Sequence, residues 1–312
     1  MPSHLPWSVR RLPDAGGRVF LVTGGNAGIG YFTAEQLSAT GATVVLGSRR
    51  PDRAEGALAS IRARVPGASV RAVRLDLADL PSLEAAVRSL ETERLDAVVL
   101  NAGVALDDPR RRETADGHEL MFGTNHLGHF ALTHWLMPLL SAAPDARVVT
   151  VGSFAAKSER LDLDDPQSRH DYRAKRTYGR SKLAQMCFGI ELDRRLRGAG
   201  STVTSVVVHP GGALDSLTPS RPPVHVRTVG ARLSAAPAGV LVQGKDAGAW
   251  PSVRAVLDPG VGGGELWGPR VFGLRGEPRR EAVWSQLAEL SVTARLWRTS
   301  RDLTGVDPGV LC

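Results

Sequence analysis

Lysine, tyrosine and cysteine are scarce in this chain of 312 residues: four lysines, three tyrosines and two cysteines stand against 35 arginines. Cys187 and Cys312 give neither a disulfide framework nor a metal-ligand spacing. Cys187, inside "AQMCFGIEL", reads as a packing residue. No apolar run approaches the ~18–20 residues needed to cross a bilayer, so no membrane span is expected. The start, "MPSHLPWSVRRLPDAGG", lacks the basic and then apolar stretches of a signal peptide, and a cytoplasmic protein is expected. The net charge of +7 invites a nucleic-acid reading, but the arginines are scattered among acids and form no aromatic-basic stacking platform. Nucleic acid is therefore not an expected partner, whereas a basic surface favours an anionic small molecule.

What is present is an alternation. Short β-branched runs at 18–24, 43–48, 69–75, 95–101, 146–153 and 202–209 are separated by helical spacing at 29–40, 54–65, 83–90, 117–140 and 177–197. The runs are continuously apolar, so both faces of each strand should be covered. This pattern predicts an α/β fold: a doubly wound parallel sheet with helices on both faces. Residues 1–16 read as an extension and 17–275 as one domain, with a proline- and glycine-rich substrate loop at about 210–245. The stretch "DAGAWPSVRAVLD" predicts a helix and "GGGELWGP" a short strand. Residues 276–312 read as a closing helical extension, whose helix at 281–303 has Val283, Leu287, Leu290, Ala294 and Trp297 on one face.

In "VFLVTGGNAGIGYFTAEQL" a strand, a glycine turn and a helix follow one another. Gly24, Gly28 and Gly30, with Asn26 in the turn and Ile29 opening the helix, suit close approach of a pyrophosphate to free helix N–H groups. The end of the second strand should meet the adenosine ribose. It carries Ser48, Arg49 and Arg50, where an NAD site usually carries an acid, and a guanidinium grips a 2′-phosphate through paired hydrogen bonds. NADP(H) is thus expected over NAD(H).

Tyr178 and Lys182 are four residues apart, so a helix puts them on one face. A free phenol titrates near about pH 10, and an ammonium within reach favours its ionised form. Their company is specific: "TGGNAGIG", "NAGV" at 101–104, "TNHLGHF" at 124–130, "VVTVGS" at 148–153, "YGRSK" at 178–182 and "HPGG" at 209–212. In order and placement these motifs resemble the short-chain dehydrogenase/reductase family over residues 17–215. They look most like its retinol-dehydrogenase-like and protochlorophyllide-reductase-like branch, of the soluble bacterial type.

The resemblance implies a Rossmann-type single domain and hydride transfer between a nicotinamide and a carbonyl/alcohol pair, probing a small-molecule substrate. It implies Tyr178 as general acid/base, Lys182 as its tuning cation and ribose contact, Ser153 on the substrate oxygen and Asn125 supporting the proton path. For the cofactor it implies Asp76 and Leu77 at adenine, Asn101, Ala102 and Gly103 at the flanking turn, and Pro210 and Gly211 after the sixth strand. It also implies a homodimer through the helices at 117–140 and 177–197, which the C-terminal helix would block or replace.

Two departures stand out. Asp215 occupies the place where the family has a Thr near the pyrophosphate or carboxamide, with Ser216 as the expected substitute, and Gly152 replaces a frequent Ser. The segments 154–176 and 212–245 should form a pocket wall and a mobile lid, with Lys157, Arg160, Arg169, Arg173, Arg221 and Arg227 facing water or an acidic substrate. His126, His129 and His134 share a helix without a clustered acid, so no metal is expected. Two alternatives stay open: a non-catalytic NADP(H) sensor, supported by Asp215 alone, and a C=C reductase of the same fold.

Overall fold

The structure is a computed structural model that describes residues 7–226, 230 and 236–309. Six apolar runs become β1 (Val19–Thr23), β2 (Thr43–Ser48), β3 (Val70–Arg74), β4 (Ala97–Leu100), β5 (Arg147–Val151) and β6 (Thr204–Val208). Among them lie α1 (Gly28–Ser38), α2 (Pro51–Arg64), α3 (Leu83–Arg88), α4 (Leu120–Phe122), α5 (Gly128–Ser141) and α6 (Ala174–Gly198). After β6 come β7 (Ala213–Leu214), β8 (Gln243–Gly244), α7 (Lys245–Gly248), α8 (Trp250–Leu257), β9 (Leu266–Val271), β10 (Arg275–Glu281), α9 (Ser285–Ala288) and α10 (Leu290–Thr304).

The eight-stranded sheet has the order β10-β9-β6-β5-β4-β1-β2-β3. All its pairings are parallel except β9 with β10. Alternation along β1 shows why both faces are covered. Phe20 and Val22 pack with Tyr31 and Phe32 of α1 and Val253 of α8, while Leu21 packs with Phe130 of α5 and Phe188 of α6. Each such side chain contributes roughly 1.5–3 kcal/mol by leaving water. The chain runs from β1 outward to β3 and then returns to the other side of β1 as β4. That reversal opens a crevice at the carboxyl ends of the strands, the usual ligand position in such sheets.

The helix expected over 117–140 is interrupted. Glu119 caps its start, its carboxylate accepting from Met121 N at 3.0 Å and Phe122 N at 2.6 Å. A π turn, Gly123–Leu127, then separates α4 from α5. Gly128 follows the π turn where a Cβ would lie 2.7 Å from the Leu77 Cβ, so the helix runs hard against the segment that follows β3.

The C-terminal region differs from expectation. The boundary expected at 276 falls inside β10, an edge strand antiparallel to β9. The helix expected over 281–303 is two helices, because Glu289 leaves helical geometry at φ −78°, ψ 95°. The break changes the buried face: Thr293, Leu296, Trp297 and Ser300 turn inward, while Val283 and Leu290 are exposed. Among the described residues no helix is long and apolar enough to cross a membrane. Cys312 and Arg227 lie outside the described residues.

Candidate active site

The glycine turn after β1 is built for close approach. Gly24 and Gly28 sit at φ +66° and +58°, a region side chains disfavour, and a Cβ on Gly28 would meet nothing within 4 Å. Helix α1 starts at Gly28, and its cap residue Ala27 provides no side-chain hydrogen bond, so the first N–H groups remain available to an anion. Gly30 faces the other way. A Cβ there would stand 2.5 Å from the Gly24 carbonyl, so this glycine lets the helix close on the turn.

The turn borders a cavity of about 540 Å³ that gathers most of the expected cofactor residues. Gly24, Asn26, Gly28, Ile29, Ser48, Arg49, Asp76, Leu77, Asn101, Ala102, Gly103 and Tyr178 all line it. Lys182 is buried beneath, and a Cβ on Gly103 would lie 3.4 Å from its Nζ. Pro210 and Gly211 do not line the cavity. The Pro210 carbonyl accepts from Gln243 Nε2 at 3.0 Å, and Gly211, at φ +69°, is pressed against the Leu274 carbonyl of the β9–β10 hairpin. A second cavity, about 510 Å³, opens at the opposite end of the sheet between Arg18, Arg147 and Leu257, away from every expected site residue.

At the ribose end the two arginines part. Arg50 pairs with Asp52 at 2.5 Å, whereas Arg49 is exposed and lines the cavity. Ser48 is buried, and its hydroxyl donates to Arg50 O and accepts from Arg50 N, so it shapes the turn that presents Arg49. Asp76 Oδ1 accepts from Ala78 N at 3.0 Å.

The catalytic candidates stand on three elements. Tyr178 and Lys182 lie one turn apart on α6. Lys182 Nζ donates to Val151 O at 3.0 Å and to Gln185 Oε1 at 2.7 Å, and burial pulls its pKa down to about 7. Asn125 sits in the π turn, fully buried. Its Oδ1 accepts from Val104 N at 2.7 Å, and its Nδ2 donates to Val104 O at 3.0 Å and Ser181 Oγ at 2.9 Å. Ser153, at the end of β5, accepts from Ala155 N at 3.2 Å and does not line the 540 Å³ cavity. Gly152 has a packing reason: a Cβ there would come 2.5 Å from Cγ of the buried Met186.

Four contributors were not anticipated. Thr23 Oγ1 accepts both Asn101 N and Ala102 N at 2.9 Å, fixing the turn that floors the cavity. Gln185 holds Lys182, and Thr124 and Lys245 line the cavity. Lys245 carries no motif, and only the scarcity of lysine could have singled it out. The departure at Asp215 is answered by the same residue: Lys245 Nζ lies 2.7 Å from Asp215 Oδ1.

The neighbouring segments are anchored. Arg221 bridges to Glu35 of α1 at 2.6 Å, and His225 stacks on Phe32 at 5.5 Å between ring centroids. Lys157 lies over the rings of Phe154 and Trp284. The three histidines of the motif helix diverge, His126 to Ser300, His129 to Thr23 and His134 to the Asp307 carbonyl. Cys187 is buried, and burial pushes its thiol up to about 12.

Residues 18–220 match the family model described as short chain dehydrogenase. Human retinol dehydrogenase 13 is 34% identical over 298 residues, covering 93% of this chain and 86% of that protein. A short chain dehydrogenase/reductase of Colletotrichum higginsianum, dpchH, is 39% identical over 228 residues, 66% of this chain; the match spans 56% of that relative's length. A crystal structure of a Mycobacterium paratuberculosis protein superposes with a TM-score of 0.77 at 32% identity, covering 96% of this chain and 98% of that one. The Pseudomonas aeruginosa RhlG/NADP active-site complex gives a TM-score of 0.52 at 27% identity, over 64% and 75%.

Proposed function

This chain belongs to the short-chain dehydrogenase/reductase family, in its retinol-dehydrogenase-like branch, and from that premise we propose that it is an NADP(H)-dependent oxidoreductase interconverting a carbonyl and an alcohol. The observation that carries the reading is one cavity lined at once by the phosphate turn, Arg49 and Tyr178. The bound nicotinamide supplies or accepts the hydride, and the protein supplies everything else. Gly24, Gly28 and Ile29 would receive the pyrophosphate, and Arg49 the 2′-phosphate. The RhlG/NADP complex, a relative at 27% identity, supports that choice of cofactor.

Tyr178 donates its proton to the substrate oxygen in reduction and takes it back in oxidation. Lys182 follows one turn later on α6, and in its protonated form would favour the ionised phenol. Asn125 holds the Val104 backbone through both its N–H and its carbonyl, which keeps the segment after Gly103 fixed along the cavity wall. Ser153 stands at the carboxyl end of β5, where a substrate oxygen would be held.

The test follows NADPH consumption against aldehydes, ketones, quinones and enones, with Tyr178→Phe in parallel and NADPH binding measured on both proteins. Turnover in the parent chain that vanishes in a variant still binding NADPH is the expected result. Full turnover in Tyr178→Phe would overturn the assignment, and saturation of a C=C bond in the products would move it to the alternative chemistry.

A further inference from the structure

The Asp215–Lys245 pair is a product of the topology. β7 and β8 run parallel, with Leu214 opposite Gly244, so the next residues, Asp215 and Lys245, leave the ribbon side by side. Buried Thr218 locks them there, its hydroxyl accepting from Lys245 N at 2.9 Å and donating to Leu214 O at 2.8 Å. Lys245 then opens α7, which lies along α1. Gln36 Nε2 donates to the Asp246 carbonyl at 2.9 Å, and a Cβ on Gly248 would be 3.6 Å from Ile29 Cγ1. This places the lysine beside the start of α1, and it lines the same cavity as Gly28 and Ile29. Asp215 does not line the cavity, and its carboxylate is about half exposed, at 47%, against 22% for Lys245.

We propose that Lys245 is a cation for the diphosphate of the dinucleotide, beside the glycine turn, and that Asp215 is its internal counter-ion, replaced when the diphosphate arrives. The inference rests on the dinucleotide-binding reading above and adds to it the regulation of the diphosphate subsite. An ammonium bonded to a carboxylate and an ammonium bonded to a phosphate oxygen are both charge-assisted contacts, so the diphosphate can take the carboxylate's place, and the lost ion pair offsets part of what the new contact gains. Released from Lys245, Asp215 still faces His225, whose Nδ1 is 3.8 Å away on the segment stacked against Phe32. The exchange therefore sets the dinucleotide affinity below what Lys245 alone would give. An aspartate is tolerated near a diphosphate here because a lysine stands between them.

The experiment is a fluorescence titration of the full chain with NADPH and, separately, NADH, for Lys245→Met, Lys245→Arg, Asp215→Asn and the Asp215→Asn/Lys245→Met double variant. Both dinucleotides carry the diphosphate and only one the 2′-phosphate. Lys245→Met is expected to raise both dissociation constants about tenfold and equally, about 1.4 kcal/mol. Lys245→Arg should stay near the parent, and Asp215→Asn should tighten both dinucleotides several-fold. The double variant should bind both dinucleotides more tightly than Lys245→Met, because without the lysine the Asp215 carboxylate faces the diphosphate unscreened. Unchanged binding in Lys245→Met, an effect confined to NADPH, or weaker binding in Asp215→Asn would each overturn the proposal. Should Lys245→Met fail to fold, the sign of the Asp215→Asn change decides. A parent chain that binds neither dinucleotide would instead sink the function proposed above.

Discussion

Lys182 Nζ and Gln185 Oε1 stand 2.7 Å apart on one face of α6, and both side chains are buried. The contact continues inward. Gln185 Nε2 donates to Leu100 O at 2.9 Å and lies 3.1 Å from His129 Nδ1. His129 Nδ1 also faces the Asn125 carbonyl at 3.0 Å, and its Nε2 faces Thr23 Oγ1 at 3.0 Å. The proton pattern that fits puts hydrogen on Nδ1, donated to Asn125 O, and leaves Nε2 to accept from Thr23. The lysine, the π turn and the cavity floor thus share one polar network behind the site.

Gln185→Leu should remove an acceptor from Lys182 without touching the cavity lining. A hydrogen bond to a charged group is worth about 1.5–3 kcal/mol, so kcat should fall roughly 10–100-fold if Gln185 positions the lysine. The pH profile separates positioning from simple loosening of the fold. Losing the acceptor disfavours the ammonium further and moves the limb belonging to Lys182 to lower pH, whereas Gln185→Glu moves it upward. Equal pH profiles in all three proteins would remove Gln185 from the mechanism.

Arg49→Asp should lower the preference for NADPH over NADH, measured as the ratio of kcat/KM values, by about 10–100-fold through loss of a charge-assisted grip and gain of repulsion. Arg50→Ala serves as the control, since Arg50 is already paired with Asp52. Its ratio should stay within about twofold of the parent, as expected for an exposed ion pair of little net worth. A larger effect at Arg50 would reverse the assignment of the two arginines.

The parallel strands and the glycine turn could be read from sequence because each rests on local chemistry: apolar runs with both faces covered, and glycines where a turn needs positive φ. Tyr178 and Lys182 were legible through helical spacing. β10 was not. "RGEPRRE" is charged and contains Pro278, a composition that reads as loop, yet it suits an edge strand with one partner and a solvent-facing side. The break at Glu289 was equally hidden, because a uniform 3.6-residue period assigned Leu290 to the inner face that Leu296 and Trp297 occupy. Lys245 and Gln185 meet partners 30 and three residues away respectively, and neither carries a motif, so only tertiary placement reveals them.

Acid should destabilise this protein through His126 and His129. Burial holds both near about 3 in the folded chain, against about 6.5 when unfolded. Between those values the unfolded chain binds more protons, so stability falls as pH drops from 6.5 toward 3, and the contribution is fully present above 6.5. Each histidine accounts for about 1.4 kcal/mol per pH unit within that window. Urea unfolding at pH 7 and 4.5 should show His126→Gln losing about 2–3 kcal/mol less than the parent on acidification. An equal loss in both proteins would mean that His126 takes up its proton without unfolding.

Trp297 joins the C-terminal helix to the rest of the chain, and its removal is the most direct test of what that helix does. Its ring lies 5.0 Å from Phe130 and 5.7 Å from Phe188, under the Arg195 guanidinium at 4.3 Å, with Nε1 donating to Asp307 at 3.1 Å. Nearby, Ser300 meets His126 at 2.6 Å and Thr293 meets Glu191 at 3.4 Å, so α10 lies across the outer sides of α5 and α6. A dimer formed through those two helices would have to displace it. The parent chain should therefore be a monomer by light scattering at micromolar concentration. Trp297→Ala should cost about 3–5 kcal/mol by the usual loss for a buried aromatic, and loosening α10 should expose the apolar face beneath it. Self-association that appears only in the variant would show that the helix masks a pairing surface; a stable dimer of the parent would show that pairing uses another face.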